Sequence, residues 1–197
     1  MILYFDTETT GLRPGKICQL SYIMDYGAGK IESKNFFFTV DYIEPSAIAV
    51  HGFTVPILKR LSGGKTFSDY AEEIANDFKS ASIIIAHNIS FDLSFLRKEF
   101  EEIGAFFCYK NECCSMKTAV PVTKILRSNG KGYKYPKLIE LCEFLDITEI
   151  DIVGKEKLLF GAFSHSHDAR FDTTALYLCV DLLMNTSKDF AFLKEFN

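Results

Sequence analysis

Ile2-Leu3-Tyr4-Phe5-Asp6-Thr7-Glu8-Thr9-Thr10-Gly11 opens the chain and decides how the rest is read. An apolar run that ends in two carboxylates, two residues apart, is a strand whose last side chains leave the sheet on one face. Two like charges held side by side repel unless something neutralises them. A divalent cation such as Mg²⁺ or Mn²⁺, which prefers hard oxygen ligands, does so economically. Taken alone, Asp-x-Glu is more often a solvated strand end, so the pair needs partners elsewhere in the chain.

Working outward from that strand, predicted over residues 2–6, two more strands are expected over 17–26 and 35–40. Both are rich in β-branched and aromatic residues, and turn signals at Gly11, Pro14-Gly15 and Gly27-Ala28-Gly29 separate them, which suggests an antiparallel meander. Helix and strand then alternate. Phe67, Tyr70, Ile74 and Phe78 recur at helical spacing after Thr66 and give an amphipathic helix ending near Lys79. A buried strand over 82–86, a helix over 91–103 and a short strand over 112–116 follow. Helices are expected over 117–126, 137–145 and 169–184, and Gly130, Gly132 and Pro136 mark 128–136 as a loop. The simplest architecture is an α/β fold, an open mixed sheet flanked by helices.

Composition bounds the function classes. A chain of 197 residues with 48% hydrophobic content and 19 Phe can build one sizeable core, so a single domain over 1–197 is expected. A net charge of −4 excludes a protein that coats nucleic acid by bulk electrostatics, though not one that grips only a strand end. The six Cys form no CxxC pair and read as reduced thiols of a cytoplasmic protein. The apolar start runs straight into Asp6 and Glu8 without the layout of a secretory signal. No apolar run approaches the roughly 20 residues that span a bilayer, so no membrane partner is expected.

Two further signals can complete the carboxylate pair. In Ala86-His87-Asn88-Ile89-Ser90-Phe91-Asp92 a buried strand passes through a loop into a helix, which puts Asp92 where it favours a helix start and faces the sheet end. In His165-Ser166-His167-Asp168-Ala169-Arg170-Phe171-Asp172 a loop leads into an apolar helical run. Spacing alone leaves His165 competing with His167, and Asp168 with Asp172.

Together these stretches resemble the Exo I, Exo II and Exo III motifs of the DnaQ-like 3′-5′ exonucleases of the DEDDh branch, which include the bacterial DNA polymerase III epsilon proofreading subunits and ribonuclease T. Asp6-Thr7-Glu8-Thr9-Thr10-Gly11-Leu12 is similar to the DTETTG-like Exo I segment, and His87-Asn88 followed by Asp92 is similar to Exo II. The Exo III spacing His-x-Ala-x-x-Asp fits His167, Ala169 and Asp172, and so selects His167 over His165 and Asp172 over Asp168. The other branch has a Tyr near that place, and none lies between His165 and Asp172. Val50-His51-Gly52-Phe53-Thr54 resembles the VHGI segment of the proofreading subunits, and residues 137–142 resemble their Leu-rich helix. The resemblance thus spans nearly the whole chain.

It implies a ribonuclease H-like sheet, a three-strand antiparallel meander plus two further strands flanked by α-helices. It also implies a metal-dependent exonuclease that releases nucleoside 5′-monophosphates from the 3′ end of DNA. Asp6, Glu8, Asp92 and Asp172 would hold two Mg²⁺ or Mn²⁺, with Asp6 bridging both, and two such ions suit an in-line displacement at a phosphodiester. His167 would be the general base, since an imidazole is half poised at neutral pH. Thr9, Leu12, His51 and Phe53 would contact the terminal nucleotides, while Asn88 and Phe91 would support the site. The implied partner is a single-stranded or frayed 3′ end, DNA ahead of RNA, with a polymerase as a candidate protein partner. An exoribonuclease is the alternative. A non-catalytic binding module is a weaker one, because all five site residues are present.

One stretch stands apart from these motifs. Lys124, Arg127, Lys131, Lys134 and Lys137 occur with Tyr133 and Tyr135 and no acidic residue between 121 and 137. Cations interleaved with aromatics suit a single strand of nucleic acid, although a solvated loop is the simpler reading of sequence alone.

Overall fold

The computed structural model describes residues 1–196. The chain runs β1 (Ile2–Thr9), β2 (Ile17–Asp25), β3 (Ile31–Phe37), α1 (Pro45–His51), α2 (Val55–Leu61), a 3₁₀ turn (Phe67–Asp69), α3 (Ala71–Ser80), β4 (Ile83–Ala86) and α4 (Ile89–Glu102). It continues through β5 (Glu112–Cys114), the single turns α5 (Ser115–Thr118) and α6 (Val120–Thr123), α7 (Leu138–Phe144), α8 (Glu149–Phe160), α9 (Ala169–Thr186) and a 3₁₀ segment (Ala191–Phe196). The strands form a five-stranded sheet in the order β3-β2-β1-β4-β5. β2 lies antiparallel to both β1 and β3, whereas β4 is parallel to both β1 and β5. The meander with two added strands is therefore present, in the ribonuclease H-like arrangement expected.

β1 has an antiparallel neighbour on one side and a parallel one on the other, and its alternation divides the core in two. Ile2 and Tyr4 point to one face, where they pack with Ile23, Ile85, Leu141 of α7, Ile152 of α8 and Leu176 of α9. Leu3 and Phe5 point to the other face, with Tyr22, Ile84, Ile74 and Phe78 of α3 and Leu96 of α4. A third, smaller cluster seats α1 and α2 against the start of β2 through Cys18, Ile43, Ile48 and Leu58. All six Cys are free thiols, and no helix among the described residues is long and apolar enough to cross a membrane.

Several elements differ from the periodicity reading, each for a local reason. β3 begins at Ile31 rather than Asn35, because the turn after β2 is tight and the register pairs Asp25 with Ile31. That turn closes with Tyr26 N–H donating to Lys30 O at 2.9 Å. The helix expected to start after Thr66 is interrupted at Tyr70, since Thr66 and Asp69 cap a separate 3₁₀ turn. The helix expected over 117–126 is two single turns, with Pro121 in the second and Lys124 closing it in the left-handed region. Residues 125–134 are a small hairpin rather than an open loop, with Lys134 N–H donating to Ile125 O at 2.8 Å.

α1, α2 and α8 have no counterpart in the periodicity. The first two contain seven residues each, too few to show a stripe. Their local signals are Pro45 at the start of α1, Gly52 in the left-handed region at its end, and Pro56 in the first turn of α2. α8 starts at a capping box between Thr148 and Asp151, but its apolar residues are scattered around the helix, with Ile150 and Leu158 exposed.

Leu176 on α9 is 1% exposed and Ile150 on α8 is 84% exposed. Leu176→Ala is expected to cost about 3 kcal/mol of unfolding free energy through lost burial and a residual cavity. Ile150→Ala should change it by under about 0.5 kcal/mol. Urea denaturation of the two variants checks the assignment of the core face.

Candidate active site

The alternation that sorts the core also sorts the charges at the end of β1. Asp6 and Glu8 continue the face of Ile2 and Tyr4 and meet Asp172 in the first turn of α9. One carboxylate oxygen from each of the three lies within 4.8 Å of the others. Thr7 points the other way, and its hydroxyl donates to Asp92 Oδ1 at 2.7 Å, in the first turns of α4. Asp92 is thus buried beside the cluster and outside that 4.8 Å group. The place is the carboxyl end of β1 and β4, where an open α/β sheet leaves a crevice.

Electrostatically the site is a concentration of like charge. Burial first, and then Asp92, Asp172 and Glu8, push the Asp6 carboxyl well above the usual range. Burial and the neighbouring Asp172 and Asp168 raise Glu8 to about 9. Burial lifts Asp92 to about 7 against the Thr7 hydroxyl hydrogen bond, and lifts Asp172 to about 7 against a hydrogen bond from the His167 backbone. Among the described residues, no Lys, Arg or His forms an ion pair with any of these four carboxylates. A crowded set of hard oxygen donors without a basic partner fits a divalent cation.

Asp168 has a different surrounding, which separates it from Asp172. It caps α9 and is held by Arg170, whose Nη2 lies 2.7 Å from Oδ2, and by Gln19 Nε2 at 2.9 Å. Burial acts to raise its pKa, but the Arg170 and Gln19 hydrogen bonds hold it below the usual range. Gln19 pairs with Glu8 across β1 and β2, and its Oε1 accepts from Ala169 N–H at 3.1 Å. Thr173 adds a hydroxyl bond to Ser21 O at 3.2 Å. These bonds tie the first turn of α9 to β2 and so bring Asp172 to Asp6.

His167 is exposed, has φ of 66°, and donates its backbone N–H to Asp172 Oδ2 at 3.0 Å. The loop that carries it is anchored upstream by Glu156, a fully buried carboxylate on α8 that accepts from both the backbone and the hydroxyl of Ser164. His165 is also exposed, and its ring Nδ1 donates to Ser166 O at 2.9 Å. Sequence reasoning missed Thr7, Gln19 and Glu156, because their partners are far away in the chain. The one local hint was a polar residue inside the apolar run of β2.

Two concavities flank the carboxylates. A mostly apolar one of about 270 Å³ is lined by Thr7, Glu8, Thr9, Leu12, Val50 and Phe91, with His51, Gly11, Ser46 and Ala47 completing it. Thr9, Leu12 and His51 are therefore brought together. His51 donates from Nε2 to Thr9 O (3.1 Å) and accepts Phe53 N–H on Nδ1 (3.0 Å), so both ring nitrogens are used within the protein. Burial lowers its pKa, consistent with the neutral form. Phe53 lies behind this wall, stacked on His51 and edge-on to Phe37, whereas Phe91 forms part of the wall itself. On the other side, a cleft of about 600 Å³ brings together Asp6, Asp172, His167 and the segment Tyr135 to Ile139.

A mixed ribonuclease H-like sheet with an acidic crevice at the carboxyl ends of its central strands is the layout of a metal-dependent nuclease. The chain belongs to the RNase T type exonuclease family, whose pattern matches residues 3–151 and so includes Asp6, Glu8 and Asp92. Among curated relatives, the DNA polymerase III subunit epsilon of Buchnera aphidicola subsp. Acyrthosiphon pisum (strain APS) is 33% identical over 141 residues, covering 67% of this chain and 56% of that protein. The same subunit from Buchnera aphidicola subsp. Schizaphis graminum (strain Sg) is 36% identical over 110 residues, covering 50% of this chain and 45% of that one. The chain spans about half the length of these relatives.

Solved structures give the same fold. Exonuclease X in complex with 5′ overhanging duplex DNA aligns with a TM-score of 0.67 at 22% identity, over 95% of this chain and 93% of that one. The E. coli ExoI-ssDNA complex aligns with a TM-score of 0.74 at 19% identity, over 98% of this chain and 42% of that one.

The raised carboxyl pKa values carry a linkage. In an unfolded chain these groups titrate at about 4, whereas burial in the fold pushes Asp92 and Asp172 up to about 7 and Glu8 up to about 9. The folded state then keeps protons that the unfolded state releases, so stability is full below about pH 4 and is lost as pH rises through those values. In EDTA the melting temperature should fall between pH 5 and 9, and Mg²⁺ or Mn²⁺ should raise it more at the alkaline end. Differential scanning fluorimetry across that range checks it, and an equal cation effect at both ends would contradict it.

Proposed function

We propose that the chain is a 3′-5′ exonuclease that uses divalent cations to hydrolyse nucleotides from the 3′ end of DNA, and that residues 1–197 act as one exonuclease domain. The observation that carries this reading is the convergence of Asp6, Glu8 and Asp172, with Asp92 held beside them by Thr7. Asp6, Glu8, Asp172 and Asp92 would hold two Mg²⁺ or Mn²⁺. Such ions supply charge stabilisation to the attacking and leaving oxygens of an in-line phosphoryl displacement.

The remaining steps belong to the chain's own side chains. His167 lines the same cleft as Asp6 and Asp172, and it takes the proton of the attacking water. Asp172 has a second role, since its Oδ2 accepts the His167 backbone N–H and so fixes the loop that presents the imidazole. The terminal nucleoside enters the apolar concavity, against Leu12 and Phe91, with Val50 and Thr9 beside it. His51 shapes that pocket by holding the Thr9 carbonyl. Preference for DNA is supported by the names of the relatives, which are subunits of DNA polymerase III, and a polymerase is the protein partner those names suggest.

A 5′-labelled single strand of DNA should shorten stepwise from its 3′ end with Mg²⁺ or Mn²⁺ and remain intact with EDTA. Internal cuts, or activity indifferent to chelation, would remove the proposal. His167→Ala should slow turnover about 100-fold or more while metal affinity is kept. Rates like those of the unmodified chain would show that His167 is not the base. A matching RNA strand reports the sugar preference.

A further inference from the structure

The wall of the large cleft that faces Asp6 and His167 is built by Tyr135, Pro136 and Lys137. These residues form the foot of the 125–134 hairpin, whose arms pair through a Leu126–Tyr133 bridge and through Arg127 N–H donating to Gly132 O at 3.1 Å. The foot is pinned to the sheet. His87, at the end of β4, donates from Nε2 to Pro136 O at 2.9 Å, while its Nδ1 meets Ser115 Oγ at 3.0 Å. The position of Tyr135 and Lys137 beside the carboxylates is therefore set by the same strand end that leads to Asp92.

Beyond the foot, a second concavity of about 670 Å³ runs along the hairpin between Ile125, Arg127, Asn129 and Lys134, and it shares Tyr135 with the first. Tyr135 is 57% exposed. Lys124, Arg127, Lys131 and Lys137 are exposed and have no carboxylate partner among the described residues; Lys134 alone is paired, with Glu140. Five of the chain's 22 Lys and Arg thus lie on this hairpin or within three residues of its ends, in a protein of net charge −4. Unpaired cations on an acidic protein, placed next to an exposed aromatic ring at the mouth of an anionic site, suit a polyanion carrying stackable bases.

We propose that this hairpin is the track for the single-stranded DNA lying 5′ of the nucleotide being removed. Lys124, Arg127, Lys131 and Lys137 pair with its phosphates, and one base stacks on Tyr135. The assignment rests on the exonuclease reading and extends it from the terminal nucleotide to the strand behind it. The carboxylate cluster repels the same phosphates, so the cations offset that repulsion and hold the strand as its end enters the site.

The test is fluorescence anisotropy in EDTA with 5′-labelled oligothymidylates, one of about 20 nucleotides and one of about 4, so that no turnover is required. Lys124→Glu with Lys131→Glu should weaken binding of the long strand about tenfold. The same pair of changes should flatten the slope of log affinity against log salt by about 0.7 for each phosphate that is no longer neutralised. It should also shrink the preference for the long strand over the short one. Tyr135→Ala should weaken the long strand about fivefold, and Tyr135→Phe, which keeps the stacking face, should restore it. Unchanged affinity and salt slope in both the charge variant and Tyr135→Ala would overturn the track. If binding responds as described yet Mg²⁺ brings no shortening of the same strand, the track stands and the exonuclease reading fails.

Discussion

Side chains on a strand alternate between two faces, and in β1 that alternation governs the sheet's two cores and its chemistry together. Ile2 and Tyr4 commit one face to α7, α8 and α9, and Leu3 and Phe5 commit the other to α3 and α4. Once that register is set by burial, Asp6 and Glu8 must face α9, and Thr7 must face α4. A shift by one residue would exchange the faces and separate the carboxylates from Asp172. The site is therefore as well specified as the core, because the same pairing fixes both.

The fold holds this cluster against its own repulsion. Asp6, Glu8, Asp92 and Asp172 all have raised carboxyl pKa values, with burial as the first cause in each. Neighbouring bonds hold the elements in place: Gln19 and Thr173 tie the start of α9 to β2, and Glu156 ties the His167 loop to α8. Asp168 has the opposite surroundings: it caps α9, is paired with Arg170 and is lowered in pKa. The contrast between Asp168 and Asp172 is one of partners, since both sit within the first turns of one helix.

The strands and the four carboxylates were legible in the sequence because both depend on local pattern. Runs of β-branched and aromatic residues between turn signals gave β1 and β2, a continuous apolar run gave β4, and the resemblance to the exonuclease motifs pointed to Asp6, Glu8, Asp92 and Asp172. Helices that are short, as α1 and α2, or lack an apolar stripe, as α8, were not legible, although Pro45 and the Thr148–Asp151 box mark two of their starts. Nor were the roles of Thr7, Gln19 and Glu156, which exist only through partners brought close by the fold. Phe53 was legible as an aromatic beside His51, but whether it lined the pocket or stood behind it depended on the packing of Phe37.

The central claim is that the alternation in β1 and the tethered start of α9 create one cation site. Isothermal titration with Mn²⁺ tests it most directly, on the unmodified chain and on Asp6→Asn and Asp172→Asn, the two carboxylates contributed by different elements. Binding by the unmodified protein, with marked weakening in each variant, is the result the account requires. Undiminished Mn²⁺ affinity in either variant, or no binding by the unmodified chain, would contradict it.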